Sequence, residues 1–145
     1  MMRVAFVVAA LSAIVASSAR ADVPVGGGSG DEGLKPGVLA PQFTLPVVND
    51  FKGGKKWGPG RWTGTPAPET PKKLVIMSFF ATYCEPCKKE MPELARMYDA
   101  YKDQGLGVML VSIDKGDAEK QTIIDLAKKN NVTFPVMHDR FQVVA

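Results

Sequence analysis

The sequence predicts one α/β domain built around a parallel sheet. Three observations carry this. Leu74-Val75-Ile76-Met77-Ser78-Phe79-Phe80 is a nearly continuous apolar run of strand length, the pattern of a strand buried on both faces. After it, Met91, Leu94, Ala95, Tyr98 and Tyr101 recur at three- and four-residue intervals, forming one apolar helical stripe. A second apolar run, Val108 to Ile113, follows. Strand, helix and strand in this order make a crossover unit with parallel strands.

With 145 residues, 46% of them apolar, the chain has material for one core and too little for two. Its first residues read as an export signal. Arg3 is a short basic start, Val4 to Ala16 is apolar, and Ala19-Arg20-Ala21 supplies small residues for cleavage. The expectation is a signal peptide over residues 1–21. The apolar run is shorter than the roughly 20 residues that span a bilayer, so no stable membrane insertion is expected and the exported product should be soluble, in the periplasm or another extracytoplasmic space. Loss of Arg3 and Arg20 brings the 18 basic side chains close to parity with the 15 acidic ones, which argues against a nucleic-acid partner.

Residues 22–35 include the run VGGGSGDEG, the composition of a flexible linker, so the folded domain is expected over residues 36–145. Phe43 to Val48 reads as a short strand, placed at a sheet edge by Pro46, which cannot donate to an interior ladder. Residues 49–73 are rich in glycine, proline and lysine and read as a surface loop. The alternative for its Trp57 and Trp62 is a partner-binding surface, since such rings carry much interface energy.

The helix is expected from Glu85 to Lys102. Pro86 suits its first turn, Pro92 should kink it, and Gly105 and Gly107 should end it. Asp117 is the expected N-cap of a second helix, which carries Ile123, Ile124 and Ala127 on one face and stops at Asn130-Asn131. Thr133 to Met137 begins a third pairing. His138, in a turn-like Met-His-Asp-Arg run, is expected to be exposed and is given no role.

The chemistry lies in Cys84-Glu85-Pro86-Cys87. This register puts Cys84 at the helix N-terminus, where free N–H groups and the helix dipole stabilise a thiolate, and Cys87 one turn inside. Cys84 is the expected nucleophile and Cys87 the resolving thiol of a disulfide exchange. Lys88 and Lys89 favour the thiolate, whereas Glu85 and Glu90 oppose it. Glu90, three residues beyond Cys87, is the candidate proton acceptor. Tyr83, Glu85 and Pro86 are the candidate substrate contacts, and the redox disulfide needs no cofactor.

Other uses of the two cysteines are less well matched. A disulfide across so short a loop removes little chain entropy and makes a poor staple. A closed zinc site needs four ligands. Copper(I) tolerates low coordination by sulfur, and seven methionines leave a copper-handling module open as an alternative. Thiol peroxidase activity, with Thr82 supporting a sulfenate-forming cysteine, is the other.

The segment from Ser78 to Leu94, with Glu-Pro between the cysteines and Lys-Lys-Glu after them, resembles the active-site region of the TlpA/ResA family of exported thioredoxin-like proteins. The likeness runs from about Ala40 to Asp139. It implies a thioredoxin-like fold, three layers α/β/α around a mixed sheet, and reduction of disulfides in exported proteins such as apocytochromes c. It also implies a membrane thiol-disulfide transporter as electron donor. Cys84, Cys87, Glu90 and Pro92 take the places of the family's nucleophile, resolving thiol, acid and helix proline. Tyr83 stands where the family has tryptophan, and residues 49–73 are longer than the usual connector. The family continues past the position of Ala145 with a cis-proline loop, two strands and a helix, so the domain is expected to be incomplete at its C-terminus, with weak activity if this is the whole product.

Overall fold

The computed structural model describes residues 36–64 and 70–145. The expected signal peptide and linker lie outside these residues. In chain order the elements are β1 (Leu45–Pro46), β2 (Lys56–Trp57), β3 (Leu74–Phe80), α1 (Glu85–Tyr101), β4 (Leu106–Ser112), α2 (Lys120–Lys129) and β5 (Val136–His138). Single 3-10 turns occupy Pro59–Arg61 and Lys102–Gln104.

β4 is the central strand of the order β3-β4-β5. It pairs in parallel with β3 from Leu74 opposite Leu106 to Phe80 opposite Ser112, and with β5 from Leu110 opposite Val136 to Ser112 opposite His138. Val47 bridges Met137 in the antiparallel sense, which makes the sheet mixed. β1, carrying Pro46, pairs antiparallel with β2 at that edge, as the missing proline N–H requires.

Because side chains alternate along a strand, β4 feeds two cores. Val108 and Leu110 join Phe80, Met91, Leu94, Ile123 and Phe134 beneath the helices. Met109 and Val111 join Leu45, Trp57, Trp62 and Met137 on the opposite face. All seven β4 residues are buried. Full burial of each such apolar side chain is worth about 1.5–3 kcal/mol, so this strand anchors both layers.

The second core corrects the reading of residues 49–73. Trp57 and Trp62 are buried, not displayed to a partner, and their rings meet edge to face with centroids 5.4 Å apart. The described part of this connector is still largely exposed, from Lys52 to Lys56 and at Gly60 and Arg61, but it sends two rings onto one face of the sheet. β3 departs in the other direction. Leu74 and Phe79 are exposed, because β3 is an edge strand with β4 its one neighbour among the described residues.

The helices follow the sequence pattern with local exceptions. Met91, Leu94 and Ala95 are buried along α1, whereas Tyr101 is exposed at its last turn. Pro92 lies inside the helix. Gly105, at φ 104°, makes the left-handed turn that leads out, but Gly107 is already within β4. Asp117 does not cap α2. Glu119 occupies that position without a side-chain cap, and the Asp117 carboxylate instead accepts from Arg140 Nη1 at 2.6 Å. α2 buries Ile123 and Ala127 and ends at Asn130, followed by Asn131 at φ 53°.

Candidate active site

Cys84 lies just past the C-terminal end of β3, on the side of a parallel sheet where α/β proteins place their sites. The turn Ala81-Thr82-Tyr83-Cys84 delivers it, closed by the Cys84 N–H donating to the Ala81 carbonyl at 3.0 Å. Cys84 is the N-cap of α1, with extended backbone angles of φ −83° and ψ 96°. Its sulfur accepts the Cys87 N–H at 3.3 Å, taking up one of the donors that a helix start leaves unpaired. Pro86 sits beside it in the first turn and removes another.

Cys84 and Cys87 are joined in a disulfide, their Cα atoms 5.3 Å apart. Both are half-buried, and Cys87 packs against the helix-side core. Around the pair the surface is open. Tyr83 is 76% exposed, and Glu85, Pro86, Lys89 and Glu90 are also exposed. Glu85 forms an ion pair with Lys88 one turn on. The hydrogen bond from Lys88, followed by its charge, holds the Glu85 carboxyl below its ordinary value of 4.5.

Sequence reasoning missed the polar group beneath the turn. Asp114, two residues past the end of β4, is buried. Its carboxylate accepts the Thr82 N–H at 3.1 and 3.0 Å, the Thr82 hydroxyl at 2.8 Å and the Ser112 hydroxyl at 2.7 Å. His138 is buried too, contrary to expectation, because it ends β5 instead of sitting in a turn. Its Nε2 lies 2.8 Å from the Asp114 carbonyl oxygen. The available signal was Ser112 and Asp114 closing an otherwise apolar run at the carboxyl end of a buried strand.

Among the described residues no group of three or more His, Cys, Asp or Glu side chains could hold a metal ion, and no helix is long and apolar enough to cross a membrane. A profile of the AhpC/TSA family matches residues 36–145. The sequence is 40% identical to the thiol-disulfide oxidoreductase ResA of Oceanobacillus iheyensis over 68 residues, covering 47% of this chain and 34% of that protein. It is 32% identical to ResA of Bacillus subtilis over 111 residues, covering 77% of this chain and 54% of that one. The chain thus spans about a third to just over half of the relatives it matches. The thioredoxin domain of a thiol-disulfide oxidoreductase from Bacteroides vulgatus superposes with a TM-score of 0.57 at 23% identity, over 77% of this chain and 69% of that one, which agrees with the expected thioredoxin-like fold. The profile spans most of the chain, and the chain belongs to the AhpC/TSA family.

Proposed function

We propose that this chain is an extracytoplasmic thiol-disulfide oxidoreductase, reducing disulfides of exported proteins such as apocytochromes c through Cys84 and Cys87. The observation that carries the reading is Cys84 at the start of α1, its sulfur accepting the Cys87 N–H while bonded to the Cys87 sulfur. That placement lowers the pKa of a free thiol. The names of the ResA relatives and the export pattern from Arg3 to Ala21 point the same way.

In the reduced chain, the Cys84 thiolate attacks a substrate disulfide. One S–S bond forms and one breaks, and a substrate thiolate leaves and takes a proton. The Cys87 thiolate, freed of its proton by water or by Glu90, then attacks Cys84 Sγ. This restores the Cys84–Cys87 disulfide and expels the second substrate thiol. Two electrons pass to the substrate, and a membrane thiol-disulfide transporter returns them as a dithiol. Tyr83, Glu85 and Pro86, exposed around the pair, form the surface that a substrate segment meets.

Equilibration of the purified chain with glutathione buffers tests this, with the Cys84–Cys87 state read by mass after alkylation. A reduction potential near the roughly −270 mV of thioredoxin supports the reductase, and one near the roughly −120 mV of DsbA overturns the direction. Absence of exchange overturns the function itself.

A further inference from the structure

We infer that Asp114 is the positioning residue of the nucleophile, its buried carboxylate clamping the turn that delivers Cys84 to the start of α1. The inference rests on the redox reading of Cys84 and Cys87 and adds to it a residue from the end of the neighbouring strand.

On its outer side the turn has little to hold it, since Tyr83 is exposed. Thr82 is gripped from within. Its N–H is shared between both Asp114 carboxylate oxygens at 3.1 and 3.0 Å, and its hydroxyl donates to Oδ1 at 2.8 Å. Glu119 Oε2 lies farther from that hydroxyl, at 3.4 Å, so the single hydroxyl proton goes to Asp114. The carboxylate is itself fixed. Ser112 Oγ donates to Oδ2 at 2.7 Å and accepts the Asp114 N–H at 3.2 Å, while His138 Nε2 meets the Asp114 carbonyl from β5. Asp114 is 3% exposed and Ser112 fully buried, so the acceptor carboxylate is withdrawn from water even though Thr82 itself is half-buried, and charge-assisted bonds to such a group are strengthened.

Cys84 is two residues from Thr82. A released turn lets the sulfur leave the cap and loosens its contact with the Cys87 N–H, one of the interactions that favour the thiolate. Through the turn, Asp114 therefore promotes thiolate formation. As a bare negative charge nearby it would do the opposite. The two roles have opposite signs, so one titration separates them.

The test follows alkylation of Cys84 by iodoacetamide in the reduced full chain from about pH 5 to pH 10, resolved by peptide mass, in wild type and in Asp114→Asn. The amide keeps the size of the carboxylate but presents an NH2 group to N–H and O–H donors that already point there. The expected result is a thiolate that forms at higher pH in the variant, with alkylation at pH 7 slower by roughly three- to tenfold. An unchanged or faster rate in a folded Asp114→Asn protein overturns the inference. Should that variant fail to fold, Thr82→Val takes its place, because it removes the hydroxyl bond and keeps the charge. About twofold slowing is then expected, and an unchanged or faster rate overturns the clamp. Failure of the redox reading looks different, since wild type itself would then show no exchange with glutathione.

Discussion

Gly107 of β4 lies directly against Trp62: a Cβ added at position 107 would come within 2.7 Å of Trp62 Cε3 and 3.1 Å of Lys72 Cγ. This close approach lets the aromatic layer seat on the sheet. Gly107→Ala should therefore overpack the second core and destabilise the domain by about 1–3 kcal/mol. Urea unfolding at constant m-value measures it, and a midpoint equal to wild type would show that the Trp62 layer is free to shift.

The Gly107–Trp62 contact also shows where the sequence stopped being legible. The helical stripe of α1 and the apolar β4 run are local signals, and the structure follows them apart from the exposed Tyr101. Trp57 and Trp62 sit in a stretch whose glycines and prolines carry no period, so nothing local indicates that their rings turn inward onto Met109 and Val111. Asp114 was hidden for a related reason. Its partner Thr82 is 32 positions away in sequence, and His138 is 24 positions from Asp114. Only the parallel register of β3, β4 and β5 brings them together.

The unequal placement of the cysteines predicts unequal variants. Cys84 caps the helix, whereas Cys87, half-buried like it, lies inside the first turn against the core. Cys84→Ser should abolish exchange, because a hydroxyl is not ionised at neutral pH. Cys87→Ser should retain the first step and stall as a mixed disulfide. Mass spectrometry with a disulfide peptide distinguishes them, and a stable adduct on the Cys84→Ser protein would reverse the assigned roles.

The hydrogen bond and charge of Lys88 lower the Glu85 carboxyl from its ordinary value, so its negative charge is present at neutral pH. Glu85→Gln removes that charge beside Cys84 and frees the Lys88 ammonium to favour the thiolate. Both effects lower the Cys84 thiol pKa. Because Glu85 is exposed the change should be small, with roughly twofold faster alkylation at pH 7. The difference should be flat from about pH 6 to the thiol pKa, since Glu85 does not titrate there. A slower rate in the variant would mean that Lys88 acts on the site only while paired.

Tyr98 provides an alkaline test of the helix-side core. Its ring meets Phe134 edge to face at 5.2 Å, and burial is the main cause that raises its phenol above the ordinary value of 10.0. A folded-state pKa above the unfolded one gives stability that is complete below the unfolded value and lost as pH rises through the folded value. Stability should therefore decline above about pH 10 as the unfolded chain ionises first. Tyr98→Phe keeps the aromatic contact and removes the proton, so its urea midpoint should fall less than that of wild type between about pH 9 and pH 11. Parallel declines in the two proteins would place the alkaline loss on other groups, the lysines first among them.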